Sequence, residues 1–365
     1  MNAPATLILD GRTAQAIAAG ARALRAGELL GLPTETVYGL AADADNAQAI
    51  AKIFHAKGRP PDHPLIVHVL NEASVAHFAQ AVPDFAHALM QAFWPGPLTL
   101  ILPRRPGVAG AAAGGQNSIG LRCPSHPVAQ ALLLACQASV DEAGQPVAPV
   151  WGVAAPSANQ FGRVSPTTAA HVQGEFGADL LILDGGPCDV GIESTIIDCT
   201  RGVPVLLRPG AITPNDVQAA CGLSVRLPHE MRGPDAPEPR ATGTLESHYA
   251  PRANVRLMEA SALQQALDVM GSALDKTSMQ TSRGGTEQPS SGPSIAVYAR
   301  VPLKSRSAQV LIRRMPDDAP GTAQQLFAVL REFDVQGVKL IWIETPPDAP
   351  EWDGVRDRLQ RASAD

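Results

Sequence analysis

What most constrains this chain is a succession of short, β-type apolar runs that stop at polar or charged residues. "LIVHV" (65–69), "LTLIL" (98–102), "SIGLR" (118–122), "VWGVAA" (150–155), "LLILD" (180–184), "STIID" (194–198) and "VPVLLR" (203–208) are too short for core helices, and helical patterns fall between several of them. "TAQAIAAGARALRAGE" carries Ala, Ile and Leu at helical spacing behind Thr13 as N-cap, and a second helix is predicted from Asn46 to about Ala56. This alternation predicts one α/β domain with a large, twisted, mixed sheet over roughly the first 220 residues.

The texture changes at "LPHEMRGPDAPEPRATGT" (227–244), which is rich in Pro and Gly and has no periodicity, as a linker would be. Beyond it "NVRLM", "SIAVYA", "AQVLIRRM" and "VKLIWIE" alternate with helical segments such as Thr322–Asp334, the pattern of a smaller, Rossmann-like parallel α/β domain. The expected division is a first domain over 1–226, a linker over 227–251 and a second domain over 252–365. Within the last, the polar, Ser/Gly-rich stretch 275–294 is expected to be a disordered loop. A chain of 365 residues with 45% hydrophobic content can bury two such cores.

Charge and cysteine usage remove some function classes. The net charge of −6 is the wrong sign for a surface built to grip a phosphate backbone, so a nucleic acid is not the expected direct ligand. The cysteines, Cys123, Cys136, Cys188, Cys199 and Cys221, are odd in number and never spaced C-x-x-C, which argues for reduced thiols rather than a disulfide framework or a zinc site. "MNAPATLILDGRT" lacks a basic segment followed by an apolar one, and no run approaches the ~18 apolar residues of a membrane helix, so the expectation is a cytoplasmic protein.

Polar clusters sit at the ends of the apolar runs, where α/β folds bind ligands. Lys57-Gly58-Arg59-Pro60-Pro61 sets a Lys point charge beside an Arg fork, a combination suited to a polyphosphate. A helix end whose basic residues offset the dipole explains it equally well. "GLPTETVYGLA" places Thr34, Glu35 and Thr36 in a turn between strands. "SIGLRCPSHP" ends a buried strand on Arg122, a costly charge unless an anion faces it. "AAPSANQFGRVSPT" offers Ser157, Asn159 and Ser165 from one loop; "GIESTIID" and "LLRPG" add Ser194 and Arg208. Each alone could be a self-satisfied turn; together they converge on one sheet.

The ordered motifs "PTETVYGL", "KGRPxxxPLIVHV", "WPGPLTLIL", "GLRCPSHP", "APSANxFGRVSPT", "ESTIID" and "LRPG" resemble those of the YrdC-type L-threonylcarbamoyladenylate synthases, and the domain beyond "HYAP" (248–251) resembles the family's long, two-domain form. The resemblance implies a YrdC-like fold with a concave pocket. It also implies a cytoplasmic nucleotidyltransferase that joins L-threonine, bicarbonate and ATP into threonylcarbamoyl-AMP, releasing pyrophosphate. Other proteins would then pass the threonylcarbamoyl group to adenosine 37 of tRNA, with no tight tRNA binding by this chain. Lys57 and Arg59 would be catalytic. Thr36, His68, Arg122, the backbone near Ala155, and Ser194 would bind threonine. Lys57, Arg59, His63, Ser118, Ser157, Asn159, Ser165, Arg208 and, from the linker, Tyr249 would bind ATP, with Mg²⁺ carried by the nucleotide. His63 departs from the family's usual Asn and would add a titration near neutral pH. If the linker folds over the pocket, Tyr249 would help exclude water; otherwise it is a packing residue of a tether. A carbamoyl-adenylate enzyme of hydrogenase maturation shares the domain but carries paired C-x-x-C motifs that this chain lacks. An RNA-binding module is disfavoured by the acidic balance and the scarcity of aromatics, 4%.

Overall fold

The computed structural model describes residues 7–141, 144–231, 249–269 and 292–364. Most of the predicted linker (232–248) and of the Ser/Gly-rich stretch (275–291) lies outside the described residues. The chain forms two units, Met1–Phe161 with Ser165–Leu245, and Gly162–Val164 with Glu246–Asp365.

The first unit contains strands β1 (Ile8–Asp10), β2 (Leu30–Leu32), β3 (Gly39–Asp43), β4 (Ile66–Val69), β5 (Leu98–Pro103), β6 (Ser118–Arg122), β7 (Gly152–Ala154), β8 (Leu181–Asp184), β9 (Thr195–Asp198) and β10 (Val205–Arg208). Its helices are α1 (Ala14–Arg25), α2 (Ala47–Lys57), α3 (Glu72–Phe78), α4 (Asp84–Phe93), α5 (Pro127–Gln137), α6 (Ala169–Phe176) and α7 (Pro214–Cys221). The strands form one mixed, ten-stranded sheet in the order β1-β8-β2-β3-β7-β4-β6-β5-β9-β10. Helix starts follow from capping chemistry. Thr13 accepts from the Ala16 N–H at 3.2 Å, and Asn46 accepts from Gln48 and Ala49 at 3.1 Å each. Helix α2 ends at Gly58, whose left-handed φ of 62° lets the chain turn sharply between Lys57 and Arg59.

Strand alternation divides the sheet into two faces. One face carries Leu40 and Ala42, Val67 and Val69, Leu98, Leu100 and Leu102, Ile119 and Leu121, and Ile197, all packed with α2, α3, α4 and α7 in a single aliphatic core. On the other face, α1 and α5 cover β2, β3, β7 and β8 through Leu24, Leu132, Leu30, Ala41, Val153 and Leu183. That second core stops at β7. Further along the same face, β4, β6 and β5 present His68, Arg122 and Thr99, and loops rather than core side chains bury them. Register places them together: His68 is opposite both Arg122 and Val153, and Thr99 is opposite Ile196. In β10 a register shift between Leu206 and Arg208 sets Leu206 opposite the core residue Ile197 but Arg208 opposite Ile196. Regular pairing would have sent Arg208 into the aliphatic core; the bulge delivers it to the polar face.

The second unit has an all-parallel sheet of β11 (Asn254–Met258), β12 (Ile295–Ala299), β13 (Val310–Arg314) and β14 (Leu340–Glu344), ordered β11-β14-β12-β13. A helix α8 starting at residue 260, α9 (Ala319–Val335) and α10 (Asp353–Ala362) accompany it. Leu263 and Leu267 of α8 pack on Ile295, Val297, Ala299 and Trp342. The predicted classes of both domains are therefore observed. The predicted strands keep their positions: β6 and β11 match residue for residue, β5 runs one residue further to Pro103, and β7 is trimmed from 150–155 to Gly152–Ala154.

Candidate active site

The strongest feature of the polar face is an ion pair with almost no solvent. Arg122, at the end of β6, is 4% exposed and Glu35, in the β2–β3 loop, is 4% exposed; Nη2 of the first lies 2.7 Å from Oε1 of the second. The same guanidinium donates to Thr36 Oγ1 at 2.8 Å and to the Gly96 carbonyl at 3.2 Å. Neither Glu35 oxygen has a well-aligned hydrogen bond, so the pair is held by charge more than by directional bonding. Burial by itself would raise the Glu35 carboxyl; the Arg122 guanidinium and the nearby Glu35 and Ser125 N–H groups outweigh it and hold the group below the ordinary carboxylate range. Arg122 needs an anion, and Glu35 supplies it.

His68, one strand away and 3% exposed, is pushed down to about 3, first by burial and then by the Arg122 charge. It is a neutral imidazole at any working pH, and its Nδ1 is buried without a hydrogen-bond partner. Ser194 Oγ bonds Thr99 Oγ1 at 2.8 Å, and Arg208 donates to the Ser194 carbonyl at 3.1 Å and to its Oγ at 3.2 Å. Ala155 gives its N–H to the Ile66 carbonyl at 3.1 Å, which leaves its own carbonyl as the group it can present. Thr36, His68, Arg122, Ala155 and Ser194 thus occupy neighbouring strand ends and loops of one sheet.

The remaining predicted residues group around the loop after β7. That loop is stitched to the start of β3: the Leu40 N–H bonds the Pro156 carbonyl and the Ala158 N–H bonds the Tyr38 carbonyl, each at 2.8 Å. The approach is close enough that a Cβ on Gly39 would stand 2.9 Å from the Ala155 Cβ. Lys57, 2% exposed, reaches the loop from the end of α2 and donates from Nζ to the Ser157 carbonyl at 2.6 Å and to the Asn159 carbonyl. Burial first, and then the adjacent Arg59 charge, pull the Lys57 amine down to about 7 against the weaker pull of Glu175 and Glu193. Arg59, 9% exposed, donates to the Pro64 carbonyl at 3.1 Å, and Ser165 Oγ donates to the Glu193 carboxylate. His63 stands with its ring 5.9 Å from that of Phe161. Ser118 lies on the same face of β6 as Arg122, at the strand's opposite end, with side-chain-free Gly120 between them. Tyr249 belongs to the second unit, where its ring stacks on Phe327 at 5.5 Å beneath Arg358 at 5.3 Å and is 1% exposed.

Comparison with known proteins follows the same division. Residues 22–210 match the Sua5/YciO/YrdC family model, described as "Telomere recombination", and residues 212–364 match the model described as "Threonylcarbamoyl-AMP synthase, C-terminal domain". The chain belongs to the threonylcarbamoyl-AMP synthase family. It is 35% identical to the threonylcarbamoyl-AMP synthase of Bacillus subtilis, covering 95% of this chain and 92% of that one. The Pyrococcus abyssi synthase is 34% identical over 93% and 92% of the two chains. The crystal structure of P. abyssi Sua5 complexed with L-threonine superposes with a TM-score of 0.77 at 32% identity, covering 95% of this chain and 94% of that one.

Three residues of this family member went unassigned in the sequence. Glu35 stands in "PTETVYGL", and a buried Arg122 calls for an anion, but nothing in the sequence marks these two residues as partners. Thr99 is the one polar residue of "LTLIL", and alternation alone places it on the polar face. Glu193 precedes Ser194 and shows no sequence signal of its own; only the fold reveals that it is buried, at 7% exposed, and accepts from Ser165 Oγ.

Proposed function

We propose that this chain is a nucleotidyltransferase that makes L-threonylcarbamoyl-AMP from L-threonine, bicarbonate and ATP with release of pyrophosphate, the first step of threonylcarbamoyl-adenosine formation at position 37 of tRNA. The observation that carries the reading is Arg122, a buried guanidinium on the loop-covered face of the sheet, flanked by Thr36 and by the neutral His68. Glu35 already neutralises this guanidinium, so the carboxylate of an amino acid would be held beside that pair, by the second N–H of Nη1 and of Nη2 that Thr36 and Glu35 do not take. Thr36, Ser194 and the Ala155 carbonyl supply uncharged partners for the substrate's hydroxyl and amine. His68, pushed down to about 3, adds no charge that would repel an ammonium.

The chemistry needs a neutral amine. It adds to bicarbonate to give a carbamate and water, and the carbamate oxygen displaces pyrophosphate from the α-phosphorus of ATP. Arg59, Ser157, Asn159, Ser165, Ser118, His63 and Arg208 hold the nucleotide, and Lys57 sets the loop that presents Ser157 and Asn159. Holding reactants in line is worth roughly 7–11 kcal/mol of barrier. Mg²⁺ would arrive on the triphosphate, since the ion keeps several of its waters and usually binds through substrate phosphates. Bound there, the ion would neutralise charge on the phosphate oxygens. The product would pass to separate transferase proteins that act on tRNA. No helix among the described residues is long and apolar enough to cross a membrane.

The test is to incubate the protein with ATP, bicarbonate and threonine, omit each in turn, and look for the adenylate by mass spectrometry. Adenylate and pyrophosphate are expected only from the complete mixture. Pyrophosphate without threonine, or none with all three, would overturn the assignment.

A further inference from the structure

The segment Arg59–Leu65, which carries Arg59 and His63, forms neither helix nor strand, so its shape depends on what it leans against. Its neighbour is the loop between β5 and β6. Arg104 closes that loop: its N–H bonds the Asn117 carbonyl at 2.8 Å, and its guanidinium donates to the Gln116 carbonyl at 2.9 Å and to the Val108 carbonyl at 2.7 Å. Further along, Asp45 Oδ1 accepts from the Ala109 N–H at 2.9 Å, and the Ala113 and Gly115 N–H groups bond the carbonyls of Ala109 and Gly110. The loop is thus tied at its ends and bonded within itself. It meets the Arg59–Leu65 segment at two points. The Leu65 N–H bonds the Ala112 carbonyl at 2.7 Å, and Gly114, at a left-handed φ of 59°, packs its backbone directly against the backbone around His63. A Cβ on Gly114 would stand 2.6 Å from the Asp62 carbonyl oxygen and 3.1 Å from the Pro64 nitrogen, two atoms that bracket His63. The Arg59 guanidinium fastens the segment to itself by donating to the Pro64 carbonyl at 3.1 Å.

We propose that Gly114 is a positioning residue for the nucleotide: by meeting the chain with backbone alone, it lets the β5–β6 loop seat the peptides on either side of His63 and so sets where His63 and Arg59 stand when ATP arrives. This rests on the reading of Arg59 and His63 as nucleotide contacts. The threonine side of the pocket is fixed by other bonds, Arg122 by Glu35, Thr36 and Gly96, and Ser194 by Thr99 and Arg208, none of which involves Gly114 or residues 62–65. Moving a binding group by about 1 Å can cost on the order of a hundredfold. The Gly114 contact therefore acts on ATP and spares threonine.

The experiment is equilibrium titration of the full chain with ATP and magnesium, and separately with threonine, for wild type, Gly114→Ala and Gly115→Ala. Gly115 is the matched control: its φ of 76° gives alanine the same kind of backbone penalty, but a Cβ there would have no atom within 4 Å. Gly114→Ala should weaken ATP binding by about tenfold or more with threonine affinity unchanged. Gly115→Ala should melt earlier than wild type yet bind both ligands as wild type does. If Gly114→Ala does not fold, Arg104→Gln, which cuts the bonds to the Gln116 and Val108 carbonyls without adding bulk, should weaken ATP in the same selective way. Wild-type ATP affinity in the folded variant, equal losses of ATP affinity in Gly114→Ala and Gly115→Ala, or a parallel loss of ATP and threonine affinity overturns this inference and leaves the proposed function standing. Failure of the unaltered protein to bind ATP overturns both.

Discussion

Replacing Glu35 with Gln tests the electrostatic centre of the site. Both partners of the pair are 4% exposed and 2.7 Å apart, so removing the carboxylate leaves a buried guanidinium with only Thr36 and the Gly96 carbonyl around it. Losing one partner of a buried pair costs about 3–5 kcal/mol, whereas replacing both with neutral groups of similar volume is often close to neutral. Glu35→Gln keeps shape and some hydrogen bonding, so the lower end, about 3 kcal/mol, is expected. For a unit of this size that lowers the melting midpoint by about 6–12 °C. Glu35→Gln/Arg122→Met should recover most of the loss. The pH dependence has a definite sign. The folded-state carboxyl of Glu35 is held below its unfolded value, so its contribution is present above the unfolded value of ~4.3 and fades as pH falls through the folded one. The gap between wild type and Glu35→Gln should therefore stay constant from pH 8 to about pH 5 and narrow in more acid solution. Denaturant melts of wild type, Glu35→Gln, Arg122→Met and the double variant over that range decide the matter. Equal stability of Glu35→Gln and wild type at pH 7, or additive effects in the double variant, would refute the pairing argument.

Other outcomes follow from the same geometry. Thr99→Val removes the 2.8 Å bond to Ser194 Oγ, worth about 0.5–1.5 kcal/mol, and should weaken threonine binding about 2- to 12-fold while leaving ATP affinity unchanged in equilibrium titrations. Gly39→Ala forces a methyl to within 2.9 Å of the Ala155 Cβ; denaturation should show a loss of about 1–3 kcal/mol, with KM raised for both threonine and ATP. His68, at about 3, contributes no ionisation between pH 5 and 9, so pH–rate profiles of wild type and His68→Gln should share their shape while the variant binds threonine more weakly.

The fold was legible because the sheet's aliphatic face writes itself as alternation. Leu98, Leu100 and Leu102 give β5, Ile119 and Leu121 give β6, and Thr13 and Asn46 mark helix starts by a chemistry that needs no tertiary context. Arg122 was legible as a site residue for the complementary reason, that a charge ending a buried strand demands an explanation. What the sequence could not carry is set by contacts distant along the chain. The Lys57 amine bonds carbonyls 100 and 102 residues away, and nothing in "KGRPP" foretells acceptors instead of a counter-charge. The shift that turns Arg208 to the polar face is equally silent, since "VPVLLR" reads as an unbroken strand and a bulge depends on the partner's register.

The second face of the large sheet is finished by helices only as far as β7, and beyond it by loops that close over polar side chains. A ligand seated there acts as the missing layer, and anything that binds the folded chain alone raises its stability, by about 2.7 kcal/mol at a hundredfold excess over Kd. The architecture thus converts recognition into thermal resistance. A melting curve recorded with serine, threonine or a nucleotide ranks these molecules as occupants before any turnover has been observed.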